Sequence, residues 1–413
     1  MPTLNFLIAS AGICLEAVIA LFLLCKFMRA KRADTVLLAA LFAAMCAGDA
    51  AFAFFDKGAG SAGFNAGLAA FMCAQITLIA FFRARENSFS KPMFCALAAP
   101  YALFFAVLIA PKCGFTPQCA AYFAYALLSI ASVSFAAGKS RAAGMGFFAL
   151  AVAAMFYSDT MIAVRSLLKI KIPSEFVSIP YFFAIFCFVC GTAVVLKNGG
   201  KPHEPPTPRR LTRVALCATA LAAAMFCVAM ASVKGYNPAM RMLSYLGRTE
   251  IGDAPNGAGM AAFMGGMFCS AAALFIGLGA LKQFVDKKLQ KWFLAGVYIL
   301  VCGFATVMLS PENLTYMPHQ IGCFLLLAGG VLAVVGTSFS KKFIMGGSAR
   351  HVWFGALMAF AAAFGCAMIL SSFKIVPFAP YVTFTQKLVI VGFAAWATVP
   401  ICMLAFAKAV KKH

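Results

Sequence analysis

The chain has 413 residues, 63% of them hydrophobic and only 11% charged, and its mean hydropathy is +0.93. An ordinary globular domain carries about 25% charged residues, so this composition excludes a secreted enzyme, a cytosolic α/β fold and a disordered protein. The formal net charge of +22 acquires a meaning only from where the charges stand.

Apolar runs of 18 to 23 residues recur from end to end, each long enough to cross a hydrocarbon core of roughly 30 Å as a helix. Thirteen spans are predicted, at 4–25, 35–55, 63–82, 93–110, 119–137, 142–164, 179–196, 214–232, 259–280, 292–309, 319–340, 352–372 and 388–407. The fold class is therefore all-α, a polytopic membrane helical bundle. The first span begins without a basic stretch, contains Glu16 and lacks a small-residue cleavage site, which reads as a retained helix and not a signal peptide.

The one break in composition is KNGGKPHEPPTPRRLTR near residues 197–213, whose prolines, glycines and basic residues suit a linker. It divides the chain into a seven-helix domain at 1–197, a linker at 198–213 and a six-helix domain at 214–413. With the N-terminus outside, 24 of the 34 Lys and Arg residues fall in cytoplasmic stretches and 10 in outer ones. Positive charge on cytoplasmic loops sets orientation, so the expected protein is a multi-pass protein of the cell membrane with its C-terminus in the cytoplasm. In a two-membrane bacterium that would be the inner membrane. The basic excess serves topology and attraction to anionic membrane lipids. No basic stripe with interleaved aromatics is present, so nucleic acid is not an expected partner.

Most of the 16 cysteines lie inside spans, where a thiol behaves as a small hydrophobe. Cys113 and Cys119 bracket an outer loop, PKCGFTPQC, and could pair if that face is oxidising; two free thiols are the other reading. Cys187 and Cys190 form a CxxC within an apolar span, which reads as packing; no second CxxC and no HExxH occurs, and neither a metal nor a cofactor is expected.

Of 12 acidic residues, three lie inside spans: Glu16, Asp49 and Asp159. An acid near the bilayer centre costs about 2.5–3.5 kcal/mol on insertion scales, and such residues generally face the bundle interior. All three precede the linker, which localises the chemistry to the first domain. Asp49 is six residues from the outer end of span 2 and Asp159 five from the outer end of span 6. At about 1.5 Å per residue, both sit roughly 8–9 Å below the outer boundary. Two carboxyls at one level on different helices can share a cavity, where they resist being ionised together and one keeps its proton. That is the arrangement glycosidases use around an oxocarbenium-like transition state. Alternatively, each acid is a protonated helix–helix hydrogen bonder, a reading that suits Glu16 best.

ALFAAMCAGDAAFAFF followed by GFNAGLAAFMCAQITLIAFF resembles the first signature of the YhhN family of lysoplasmalogenase-like membrane proteins, with Gly48, Asp49, Gly67, Phe71 and Gln75 in its places. ALAVAAMFYSDTMIAV resembles the second, with Ser158 and Asp159 in position, and Tyr181 matches a tyrosine opening the next helix. The resemblance spans about residues 1–197. It implies hydrolysis of the vinyl ether bond of lysoplasmalogens, releasing a fatty aldehyde and a glycerophospho head group, with Asp49 and Asp159 as the catalytic pair. The chain departs from the pattern around Glu16, where a Lys-Pro pair is usual, at Leu78, often a tyrosine, and at Ile185, usually His or Gln.

Arg165, Lys169 and Lys171 break the charge rule in the outer loop after Asp159 and could hold a phosphate, or could form a solvated loop against lipid head groups. Asn65 and Gln75 are candidate polar wall residues or interhelical hydrogen bonders. Tyr157 and Tyr181 are candidate substrate contacts or interfacial belt aromatics. The set of expected site residues is thus Asp49 and Asp159 as catalytic groups, with Asn65, Gln75, Tyr157, Ser158, Arg165 and Tyr181 against a lysophospholipid substrate. A proton-coupled transporter, a lipid-handling protein and a non-catalytic scaffold are the competing classes. Sequence alone does not specify an oligomeric state.

Spans 8–13 contain no acid. YNPAMRMLSYLGR, MPHQIG with His319, and Gln386-Lys387 resemble a six-span family of uncharacterised bacterial and archaeal membrane proteins, which implies architecture only. Asn313-Leu314-Thr315 is an outer sequon, meaningful only in a glycosylating compartment.

Overall fold

The computed structural model describes residues 4–30, 32–54, 61–114, 116–138, 144–198, 207–238, 241–342, 351–352, 354–359, 361 and 379–406. Eleven helices among the described residues are long and apolar enough to cross a membrane, which makes this a multi-pass helical bundle. In hydrocarbon every backbone N–H and C=O must be satisfied within the protein, and helices achieve this within a single segment. The chain divides into two compact units, Met1–Ala98 with Phe105–Pro205, and Ala99–Phe104 with Pro206–His413.

The first half of the chain contains α1 (Leu4–Ala30), α2 (Ala33–Phe54), α3 (Ala62–Ala84), α4 (Lys91–Phe104), α5 (Ala110–Cys113), α6 (Pro117–Ala136), α7 (Met145–Leu167) and α8 (Glu175–Asn198). Local chemistry sets several starts. The Ser61 hydroxyl accepts from the Phe64 amide at 3.1 Å, and the Thr116 hydroxyl accepts from the Cys119 amide at 3.2 Å, ahead of Pro117 in the first turn; both are side-chain N-caps. Gly144 enters α7 at φ +86, and a Cβ there would lie 2.9 Å from the Gly191 carbonyl oxygen, so conformation and space both require glycine. The expected span at 93–110 is not one regular helix. Pro100 lies inside α4, and a π-helical turn at Phe105–Ile109 leads into α5, as a missing N–H and an inserted residue would produce.

Neighbouring helices are α1–α2, α2–α3, α3–α6, α6–α7 and α7–α8. Their shared core includes Leu23, Phe42, Phe81, Phe82, Phe148 and Phe188, all fully buried. The ring of Phe148 lies 4.7 Å from Phe81 and 5.8 Å from Phe188. These rings gather toward the end of the bundle where α3 finishes and α7 starts. At that end Asp34 accepts from Arg32 at 2.6 Å and from Arg85, tying the start of α2 to the end of α3.

The second half contains α9 (Pro208–Ser232), α10 (Gly257–Leu281), α11 (Lys287–Leu309), α12 (Tyr316–Ser338) and α13 (Ala379–Phe406). The expected linker at 198–213 is shorter than its composition suggested. Thr207 caps α9 and Pro208 occupies its first turn, where a proline costs no hydrogen bond. Arg209, Arg210 and Arg213 therefore stand on a helix. Residues 199–206 of that linker and most of the expected span at 352–372 lie outside the described residues, as does the side chain of Cys113, and with it the question of a Cys113–Cys119 bridge. The segment between α9 and α10 carries a 3₁₀ turn at Leu243–Gly247 and a small hairpin, β1 (Glu250–Ile251) with β2 (Ala254–Pro255), paired Glu250↔Pro255 and Ile251↔Ala254.

Helices α11 and α12 touch backbone to backbone. A Cβ added at Gly329 would lie 2.6 Å from the Leu300 amide nitrogen, and one at Gly296 2.6 Å from the Ala333 nitrogen. Small residues let membrane helices approach this closely, and a backbone atom cannot swing aside. Gly329→Ala is therefore expected to lower the thermal unfolding midpoint in detergent, with a loss of about 1–3 kcal/mol. Gly279→Ala, where nothing lies within 4 Å, should leave the midpoint unchanged or slightly raised.

Candidate functional site

The bundle formed by α1, α2, α3, α6, α7 and α8 carries one linked polar side chain from each helix. They are Glu16, Asp49, Gln75, Tyr125, Asp159 and Tyr181 in chain order. Glu16 is wholly buried and Gln75 is 2% exposed; the other four are half-buried. Among the described residues none of the three acids enters an ion pair.

Tyr181 stands at the centre. Its hydroxyl donates to Glu16 Oε1 at 3.3 Å, with Asp49 and Asp159 in electrostatic reach. Asp49 also stands in electrostatic reach of Asp159. On the far side of Asp159, the Tyr125 hydroxyl donates to Oδ2 at 2.6 Å. Tyr125 in turn neighbours Gln75, whose Nε2 lies 4.0 Å from Met155 Sδ. The path Glu16–Tyr181–Asp49–Asp159–Tyr125–Gln75 thus links all six helices. The Tyr181–Glu16 bond joins α8 to α1.

The Gly-Asp signature has a packing cause. A Cβ on Gly48 would fall 2.6 Å from Phe71 Cε2, and one on Gly67 2.9 Å from the Phe52 ring, so each helix offers a glycine to the other's phenylalanine. Phe52 and Phe71 stack at 5.9 Å. Phe71 then meets the Tyr181 ring edge-on, at 6.2 Å and 80°. Gly48 seats Phe71, Phe71 seats Tyr181, and Tyr181 reaches the acid that follows Gly48.

The structure separates the other expected residues from this path. Ser158 is wholly buried, but its hydroxyl donates to the Val177 carbonyl at 2.9 Å, which fixes α7 against the start of α8. Asn65 is exposed at the start of α3, where its amide oxygen accepts from Gln118 at 3.0 Å. Tyr157 is 4% exposed, a core position and not an interfacial belt. Arg165, Lys169 and Lys171 are exposed on the segment that follows Asp159, one to three turns of chain away from the carboxyls. Leu78 and Ile185 lie in the hydrophobic core.

Glu16 was expected as a helix–helix hydrogen bonder, and one member of the path, Tyr125, was not anticipated and belonged to no motif. The available signal for Tyr125 was a hydroxyl in the middle of an apolar helix, which must find a partner there.

Residues 11–192 match the model of the YhhN family, so the likeness holds over the N-terminal half of the chain and covers all six residues of the path. No curated protein and no solved structure matches the chain.

Gly48→Ala should displace the Phe71 ring and with it Tyr181, at a cost of about 1–3 kcal/mol seen as a lower unfolding midpoint in detergent. Adding Phe71→Leu should recover part of that loss, because the methyl group then has room.

Proposed function

We propose that the N-terminal half is an integral-membrane lipid hydrolase that cleaves the vinyl ether bond of lysoplasmalogen-type lysophospholipids. The observation that supports this reading is that two carboxyls, Asp49 on α2 and Asp159 on α7, lie in electrostatic reach of each other between Tyr181 and Tyr125. The match of residues 11–192 to the YhhN family supports it.

The chemistry needs an acid and a stabilising carboxylate within one site. One aspartate, carrying a proton, transfers it to the β-carbon of the vinyl ether, and the double-bond electrons form the new C–H bond. The α-carbon and ether oxygen then share an oxocarbenium charge, which the second, ionised aspartate stabilises. Water adds to the α-carbon and gives one proton to that aspartate. The resulting hemiacetal collapses to a fatty aldehyde and the free hydroxyl of the glycerophospho head group. Tyr181 and Tyr125 orient the two carboxyls, and Gln75 offers a buried amide beside Tyr125. Arg165, Lys169 and Lys171, exposed along the chain after Asp159, are the cations within reach of a head-group phosphate. In this reading the protein lies in the cell membrane with its N-terminus outside, and the second half is an accessory module.

Purified protein in detergent should release aldehyde from a vinyl-ether lysolipid and leave the saturated ether analogue intact. Asp49→Asn and Asp159→Asn should each lower that rate by about 10²–10⁴-fold. Release equal to the parent's in both variants would sink the proposal.

A further inference from the structure

The second half carries a polar cluster of its own, on the segment between α9 and α10. Arg241 and Arg248 each place a guanidinium over the ring of Tyr245, at 4.9 and 4.8 Å from its centre. Stacking on a ring holds a guanidinium while its N–H donors, which lie in its plane, stay open. Arg248 gives two of its donors to Glu312, from Nε at 3.3 Å and from Nη2 at 3.1 Å. The Arg241 guanidinium has no carboxylate and no other hydrogen-bond acceptor among the described residues. Lys387 comes to the same segment from α13, its ammonium donating to the Arg241 carbonyl at 3.1 Å. Beside it, the Gln386 side-chain oxygen accepts from the Leu243 amide at 3.4 Å. These two contacts fasten α13 to the segment and leave Lys387 with two further N–H donors.

Three cations thus gather around one carboxylate, that of Glu312. Glu250 and Asp253, on the hairpin that follows, are exposed and enter no ion pair among the described residues. Like charges held together without a counter-charge repel. Lys387 also stands two residues inside Thr385–Phe406, a stretch able to cross a membrane, where a cation without an acid is costly. A bound anion relieves both. We propose that Arg241 and Lys387, with Arg248 across the Tyr245 ring, form a binding site for a phosphate group. The planar fork of Arg241 suits two phosphate oxygens, and the Lys387 ammonium suits a third as a point charge. Tyr245 and Glu312 hold the guanidiniums in place. The site adjoins the ends of α9, α10 and α13, where basic pockets between membrane helices meet lipid head groups. A lipid phosphate and a free phosphate share this chemistry, and the site is independent of vinyl ether cleavage.

Calorimetric titration of the full chain in an uncharged detergent tests this with two probes, inorganic phosphate and a short-chain phosphatidylglycerol. Saturable heat from the lipid alone identifies a head-group phosphate as the ligand. Saturable heat from inorganic phosphate, with or without the lipid, identifies the phosphate group itself as sufficient. Arg241→Gln and Lys387→Gln should each weaken binding about tenfold or more. Tyr245→Leu keeps every charge but removes the ring that holds the guanidiniums, so it should weaken binding too. It also reads the site if either charge variant fails to fold. Lys234→Gln removes an equal charge from an exposed position on the same segment and should leave the affinity unchanged. No saturable heat from either probe overturns the proposal. So does unchanged affinity in Arg241→Gln and Lys387→Gln, or an equal loss in Lys234→Gln, which marks diffuse attraction of anions and not a site.

Discussion

A single phenolic hydroxyl, that of Tyr181, carries the arrangement of the N-terminal unit. It donates to Glu16 from α1 and stands in electrostatic reach of Asp49 from α2 and Asp159 from α7. In hydrocarbon no water competes for such a hydroxyl, so its partners must come from neighbouring helices. The requirement therefore acts as a constraint on helix placement. Helices α1, α2, α3, α6, α7 and α8 meet in that order through apolar packing, and α8 and α1 are joined by a polar contact.

The unit divides into two zones with different physics. Toward the end of α3 and the start of α7, Phe81, Phe82, Phe148 and Phe188 form a close-packed aromatic core, and Asp34 binds Arg32 and Arg85 at the helix ends. Toward the start of α8, packing gives way to the linked carboxyls and tyrosines. Gly48 and Phe71 connect these zones, since the space left by a missing side chain on α2 admits the ring that seats Tyr181. A rigid apolar zone can hold a polar constellation at fixed spacing, which is what acid–base chemistry on a bound lipid demands.

Two signature residues turn out to serve geometry more than contact. Ser158 precedes Asp159, but its hydroxyl is used by the Val177 carbonyl, so it sets how α7 lies against α8. Gly48 precedes Asp49 and sets how α3 lies against α2. Each aspartate is thus preceded by a residue that fixes its own helix against a neighbour.

The sequence by itself determined that this chain is a helical membrane protein, because runs of 18 or more apolar residues have no other stable form in a bilayer. It also singled out Glu16, Asp49 and Asp159, since acids inside such runs are too costly to be incidental, and the Gly-Asp and Ser-Asp spacings tied two of them to a known family. Only the tertiary structure decided which of the remaining polar side chains join them. Tyr125 and Gln75 do, while Asn65 pairs with Gln118 away from the acids. The reason is that a membrane helix apolar on every side has no amphipathic pattern to mark its inward face. Facing is chosen by which neighbours pack against the helix, through contacts such as Gly48 with Phe71 that lie far apart in the chain and leave no periodic trace in it.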